Sequence, residues 1–207
     1  MSGTFFTQQK KTQHNIQEEA IIIVSGLPRS GTSMMMKMLA STGFPILTDN
    51  LRSADDDNPE GYYEFERVKN LKDGDLSWLP EARGKVVKVI SYLLANLPPN
   101  FSYKIIFMQR KLEEILSSQK QMLIRRGETT EEISDEDMAL LFEKHLSQIR
   151  SWLSKQPNME VLYVNYNQVL KSPTYEAERI ADFLSENLNI QAMTRIVDQN
   201  LYHQRHN

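Results

Sequence analysis

The chain has no cysteine. Disulfides and thiolate metal sites are therefore excluded, and the composition suits a reducing cytoplasm, where the protein is expected to work. No apolar run approaches the roughly 18 residues that a membrane span needs. The first 18 residues are rich in Gln, Lys and Thr and contain no apolar stretch of the kind a signal peptide carries. They are expected to form a loose polar tail, with a single domain over residues 19–207. An excess of either charge is also missing: 24 Lys and Arg against 27 Asp and Glu give a formal net charge of −3. A nucleic-acid partner held by bulk electrostatics is disfavoured on that ground, and an anionic ligand has to be gripped by a local cluster. No internal repeat is visible, and 207 residues are enough for one full core.

What is present is concentrated in one stretch, Ile21-Ile22-Ile23-Val24-Ser25-Gly26-Leu27-Pro28-Arg29-Ser30-Gly31-Thr32-Ser33, followed by Met34 to Leu39. Four β-branched residues in a row predict a strand buried on both faces, and the Met/Lys/Leu run predicts a helix. Strand, glycine loop and helix in that order make an anion cradle. Backbone N–H groups and the positive end of the helix converge on one point, and glycine lets the backbone come close to the ligand. The spacing Gly26-x4-Gly31 is that of a phosphate-binding loop. The lysine that nucleotide hydrolases carry after the second glycine is absent, and Thr32 stands there. The loop's only cation is Arg29, ahead of that glycine, and Ser33 keeps the terminal hydroxyl. A glycine turn serving only strand–helix packing is the plainer alternative.

Further strands are predicted at Phe44 to Thr48, Val86 to Ile90, Tyr103 to Met108 and Val161 to Tyr166. Helices are predicted after Gly61 up to Gly74, from Leu112 to Leu123, from Met138 to Leu153, and from Thr174 to Leu188. Ser134 and Asp137 have the spacing of a capping box. Alternating strands and helices with apolar strands predict an α/β chain of the P-loop type: three layers, with a central, mostly parallel sheet covered by helices on both faces. Ligands of such sheets lie at the carboxyl ends of the strands, where the loop, Lys88 and Arg110 fall. His145 shares the apolar stripe of its helix and is read as a packed or partly exposed residue. Asp55-Asp56-Asp57 reads as a solvated loop, because neither Gly nor Glu follows at calcium-loop spacing, and no metal is expected.

Metal-dependent phosphoryl transfer needs an Asp ending a neighbouring strand to hold Mg²⁺. The predicted strands end in Ile90-Ser91, Gln109-Arg110 and Asn165-Tyr166-Asn167, without one. A sulfuryl group carries less charge than a terminal phosphate, so fixed cations and N–H groups can stabilise it without metal. Arg110 at a strand end, with Ser118 eight residues on, forms a sound phosphate clamp; Ser117 is the neighbouring alternative, and a surface ion pair the plain one.

The loop Pro28-Arg29-Ser30-Gly31-Thr32-Ser33 resembles the 5′-phosphosulfate loop of sulfotransferases that use 3′-phosphoadenosine 5′-phosphosulfate (PAPS). The Arg110-x7-Ser118 spacing resembles that family's 3′-phosphate motif. Val161 to Leu170, with Ser172-Pro173 and Ile180 to Leu184, is similar to a late segment of the bacterial members, with Asn167 where an acid is usual. The resemblance spans about residues 20–185. It implies PAPS as co-substrate, adenosine 3′,5′-bisphosphate as product, and a small-molecule or sugar-type hydroxyl or amine as acceptor. Arg29, Ser30, Gly31, Thr32, Ser33, Arg110 and Ser118 would bind the nucleotide.

Transfer also needs a base for the acceptor's proton. Many cytosolic members place a His just after a strand lysine, but Val89-Ile90-Ser91 follows Lys88. Other branches use a Glu beyond the second strand, which implies Glu64, with Glu66 and Glu60 next. Lys88 would protonate or neutralise the bridging oxygen of the leaving phosphate, and Arg29 would stabilise charge on the sulfuryl oxygens. Glu64 and Glu66 also fit as solvated first-turn residues favoured by the helix dipole, and Lys88 as the partner of a nearby acid. Tyr62, Tyr63 and Phe65 would wall the acceptor pocket or join the core. The family's Arg-Lys-Gly adenine loop is missing, and Asp198 to Arg205 is its nearest substitute. Two other classes remain open: a P-loop kinase or phosphotransferase with Lys replaced by Arg, and a non-catalytic nucleotide-binding module.

Overall fold

The computed structural model describes residues 19–49, 63–127 and 134–197. The polar tail, the Asp55–Asp57 loop, Glu60, Tyr62 and the Asp198–Arg205 stretch lie outside the described residues.

Four strands form one parallel sheet in the order β2-β1-β3-β4: β1 Ile21–Gly26, β2 Val86–Lys88, β3 Tyr103–Gln109 and β4 Met159–Asn165. Every residue of β1 is buried, as expected of a strand with neighbours on both edges and cover on both faces. Its alternating side chains divide the core in two. Ile21 and Ile23 join Trp78, Leu79, Val87, Ile105, Phe107, Ile149 and Leu153 on one face. Ile22 and Val24 join Met35, Met38, Leu39, Ile106, Met108, Val164 and Ile180 on the other.

Helices α1 (Thr32–Ala40), α5 (Pro173–Leu184) and α6 (Ile190–Arg195) cover the second face. Helix α3 (Asp135–Leu153) and the 3-10 helices Glu66–Asp73, Leu79–Ala82 and Ser91–Asn96 cover the first. Helix α2 (Leu112–Arg125) follows β3, and its Ile115 packs with Leu27 and Phe142 in a small third cluster. The short α4 (Tyr166–Lys171) starts directly from β4, capped by Asn165 Oδ1, which accepts from the N–H groups of Asn167 and Gln168. This is the three-layer α/β architecture that the alternating pattern implied. No described helix is long and apolar enough to cross a membrane.

Two element predictions need correction. Phe44 to Thr48 is not a strand: it makes a single bridge, Ile46 to Val86. Pro45 has no N–H to donate, so the pairing stops after the Leu47 N–H to Val86 carbonyl bond at 2.8 Å and its reciprocal from Val86 to Pro45. The last predicted helix ends at Leu184 rather than Leu188, because Ser185 turns left-handed with φ 60°. Helices α4 and α6 were not foreseen, six residues each being too few to display a period, and Tyr166, expected at the end of a strand, opens α4. The Ser134–Asp137 cap forms as spaced, with Ser134 Oγ accepting from the Asp137 N–H at 3.0 Å.

Candidate active site

The loop after β1 is shaped by two glycines and one strained arginine. Gly26 has φ 148° and Gly31 φ 100°, values that L side chains rarely adopt. Space excludes a side chain as well: a Cβ on Gly26 would lie 2.7 Å from the Met108 carbonyl oxygen, and one on Gly31 would collide with the Tyr166 ring. Arg29 takes the left-handed φ of 69°, an outlier of the kind that marks sites where geometry serves a ligand. Helix α1 opens at Thr32, so its free N–H groups face the loop. The hydroxyls of Ser25 and Ser30 are buried, and no hydrogen-bond partner is found for either among the described residues.

Three predicted residues from distant parts of the chain meet at this loop. Arg29 Nε donates to Ser118 Oγ at 2.9 Å, joining the loop to the buried face of α2. Arg110, just past β3, donates through Nη1 to the Arg29 carbonyl at 3.1 Å. Ser118, one of the two serines offered by the sequence, is thus in contact with Arg29. Arg110 is held further by residues the sequence reading gave no part in the clamp. Its Nε donates to Glu114 Oε2 at 2.9 Å, its guanidinium lies 4.4 Å from the Tyr166 ring centre, and Glu114 Oε1 accepts from Asn167 Nδ2 at 2.9 Å. Burial pushes the Tyr166 hydroxyl's pKa up; Glu114 adds to the rise, while Arg110 and Arg29 oppose it. The i,i+4 spacing of Arg110 and Glu114 was the available signal for that pair. Nothing in sequence spacing connects either residue to Asn167.

On the other side of the loop, Lys88 at the end of β2 donates to Ser33 Oγ at 3.2 Å and lies 3.8 Å from Glu64 Oε1. The Glu64 carbonyl is fixed by the Thr48 hydroxyl at 2.9 Å, so the chain after Phe44, although not a strand, holds this acid in place. The three glutamates now separate. Glu64 faces Lys88, Glu66 pairs with Lys69 at 2.7 Å on the surface, and Glu60 lies outside the described residues. The aromatics divide too: Phe65 packs edge-on against Trp78 at 5.7 Å, and Tyr63 packs against the opposite core. The other strands at this end of the sheet finish in Gln109 and Asn165, and neither offers a carboxylate.

The model of the sulfotransferase domain matches residues 19–205. The chain belongs to the sulfotransferase domain family. Among solved structures, this sulfotransferase-family chain resembles the sulfotransferase domain from the curacin biosynthetic pathway. That match has 18% identity, covers 87% of this chain and 78% of that one, and gives a TM-score of 0.53. It also resembles retinol dehydratase, solved in complex with androsterone and the inactive cofactor PAP. There the identity is 18%, the match covers 85% of this chain and 62% of the other, and the TM-score is 0.48. A sugar kinase from Janibacter sp. HTCC2649 matches at 12% identity over 87% of this chain and 99% of that one, with a TM-score of 0.42. At 18% identity the likeness to the curacin-pathway domain is one of fold alone. The chain thus spans 62% of the length of retinol dehydratase. No curated protein matches by sequence.

Proposed function

We propose that residues 19–207 act as a single sulfotransferase domain of the cytoplasm, moving a sulfuryl group from PAPS to the hydroxyl or amine of a small-molecule or sugar-type acceptor. The observation that carries the reading is the meeting of Arg29, Arg110 and Ser118. Two guanidinium-bearing residues and a hydroxyl from three chain segments converge beside a glycine loop, and no described strand ends in a carboxylate that could hold Mg²⁺. Those residues fit a nucleotide with phosphate at both ends. The loop N–H groups, Arg29, Ser30, Gly31, Thr32 and Ser33 would hold the 5′ end, and Arg110 with Ser118 the 3′-phosphate. Glycines whose Cβ atoms would strike Met108 and Tyr166, together with the buried hydroxyl of Ser30, support the fit.

When bound, PAPS supplies an activated sulfur whose bond to the phosphate oxygen breaks as the bond to the acceptor forms. The chain's own residues serve that exchange in three ways. The Glu64 carboxylate takes the proton of the acceptor's O–H or N–H group, being within reach of the same lysine that faces the loop. Lys88, whose Nζ donates to Ser33 Oγ, would offset the negative charge that grows on the leaving oxygen. Arg29, the cation of the loop, would stabilise charge on the sulfuryl oxygens.

A thermal-shift comparison tests the reading, since a ligand that binds only the folded state raises the melting temperature by mass action. Adenosine 3′,5′-bisphosphate is expected to raise it without metal. A shift given only by ATP with Mg²⁺ would overturn the proposal in favour of a phosphotransferase.

A further inference from the structure

Glu114 is an unexpected neighbour for a phosphate clamp. Its carboxylate occupies the Nε edge of Arg110 at 2.9 Å, and the side chains of the two residues are only 5% and 8% exposed, so water screens the pair little. The carboxylate is held from a second side by Asn167 Nδ2 at 2.9 Å. The guanidinium is fixed as well, through Nη1 on the Arg29 carbonyl and through the Tyr166 ring beneath it. Neither group can turn away from the other without losing its remaining contacts.

We propose that Glu114 is the positioning residue that sets how strongly Arg110 engages the 3′-phosphate, aiming the guanidinium while offsetting much of its charge. The inference rests on the sulfotransferase reading of the site and deepens it. A phosphate dianion approaching Arg110 meets a cation already paired with a buried carboxylate, and the carboxylate repels the dianion. Arg110 therefore recognises the 3′-phosphate by fork geometry more than by net charge. That suits a site whose product, carrying the same 3′-phosphate, must leave in every cycle. Asn167 belongs to the same device: its amide holds the carboxylate by donating a hydrogen, which an Asp there could not do when ionised.

The test compares adenosine 3′,5′-bisphosphate with adenosine 5′-monophosphate by calorimetry on the full chain. The readout is the ratio of the two affinities, which isolates the 3′-phosphate. Glu114→Gln keeps an acceptor oxygen for Arg110 Nε and removes the negative charge. The ratio is expected to rise about tenfold, equivalent to about 1.4 kcal/mol, with the 5′-monophosphate affinity little changed. Glu114→Ala loses the aim as well and should lower the ratio below that of the wild type. A folded Glu114→Gln variant whose ratio is unchanged, or falls as the Ala variant's does, would overturn the proposal, since a merely structural glutamate predicts loss in both. Should Glu114→Gln not fold, Asn167→Asp decides: a second carboxylate beside Glu114 is expected to lower the ratio, and an unchanged ratio rejects the idea. If the wild type binds neither nucleotide, the sulfotransferase reading itself fails and this inference falls with it.

Discussion

Arg29 Nε donates to Ser118 Oγ over 2.9 Å, bridging 89 positions of sequence. The contact joins the loop expected to hold one end of the nucleotide to the helix expected to hold the other. A hydrogen bond to a charged group contributes about 1.5–3 kcal/mol. Ser118→Ala is therefore expected to weaken adenosine 3′,5′-bisphosphate binding by about tenfold or more in a calorimetric titration. Ser117→Ala should leave it unchanged. The opposite pattern would move the clamp one residue along α2.

Gly31 meets two obstacles to any side chain, its φ of 100° and the ring of Tyr166. Left-handed backbone costs a non-glycine residue of order 1–3 kcal/mol, and overlap with the ring adds to that. Gly43 isolates the backbone part, because its φ is +83° and nothing lies within 4 Å of its would-be Cβ. Gly31→Ala should thus lower the melting temperature well beyond Gly43→Ala. Adding Tyr166→Leu should recover part of the difference, a coupling that a double-mutant cycle measures. Equal losses for the two glycine variants would show that Tyr166 does not press on the loop.

Much of this arrangement was legible before any coordinates. The β-branched run at Ile21 to Val24, the two glycines and the helix behind them announce strand, turn and helix by period and punctuation alone, because local backbone chemistry dictates all three. Strand ends also predict where ligands gather, which brought Lys88 and Arg110 into view. The framework around the clamp was not legible. Asn167 reaches Glu114 across 53 positions, and His145 reaches Ser91 across 54, through the packing of helices whose order no local pattern encodes. Phe44 to Thr48 misled because its apolar run has the composition of a strand while Pro45 removes the donor that a ladder requires.

Glu64 and Glu66 differ in what they face, and that difference predicts different kinetics. Glu64 lies beside Lys88 at the loop, whereas Glu66 is taken up by exposed Lys69. Removing a positioned base lowers turnover by about 10²–10⁴-fold. Glu64→Gln is expected to lower kcat by such a factor with PAPS and a panel of simple phenols, alcohols and amines. The melting shift from adenosine 3′,5′-bisphosphate should stay as in the wild type. Glu66→Gln should lose little of either. Lys88→Ala is expected to slow turnover too, and to weaken nucleotide binding through the lost contact with Ser33. Full activity in Glu64→Gln would remove the acid from the reaction.

The apolar stripe of its helix predicts His145 to be a packed or partly exposed residue. It is half-buried, with Nε2 2.9 Å from Ser91 Oγ and its ring stacked 3.8 Å from that of exposed Tyr92. Burial disfavours the imidazolium and holds the His145 pKa below its ordinary value of 6.5. Once the pH falls below about 6.5, the unfolded chain takes up a proton at this site that the folded chain still refuses. Stability therefore declines with falling pH over that window, until the folded pKa is reached, and rises again as the pH returns. Replacing the ring by an uncharged side chain removes the difference in proton uptake. His145→Gln should melt lower than the wild type at pH 8, where the stack is lost without any change in charge. Its melting temperature should then vary less between pH 6.5 and pH 5. Two parallel melting curves across that range would mean that His145 binds its proton equally well in both states, and the burial of the ring would carry no energetic weight.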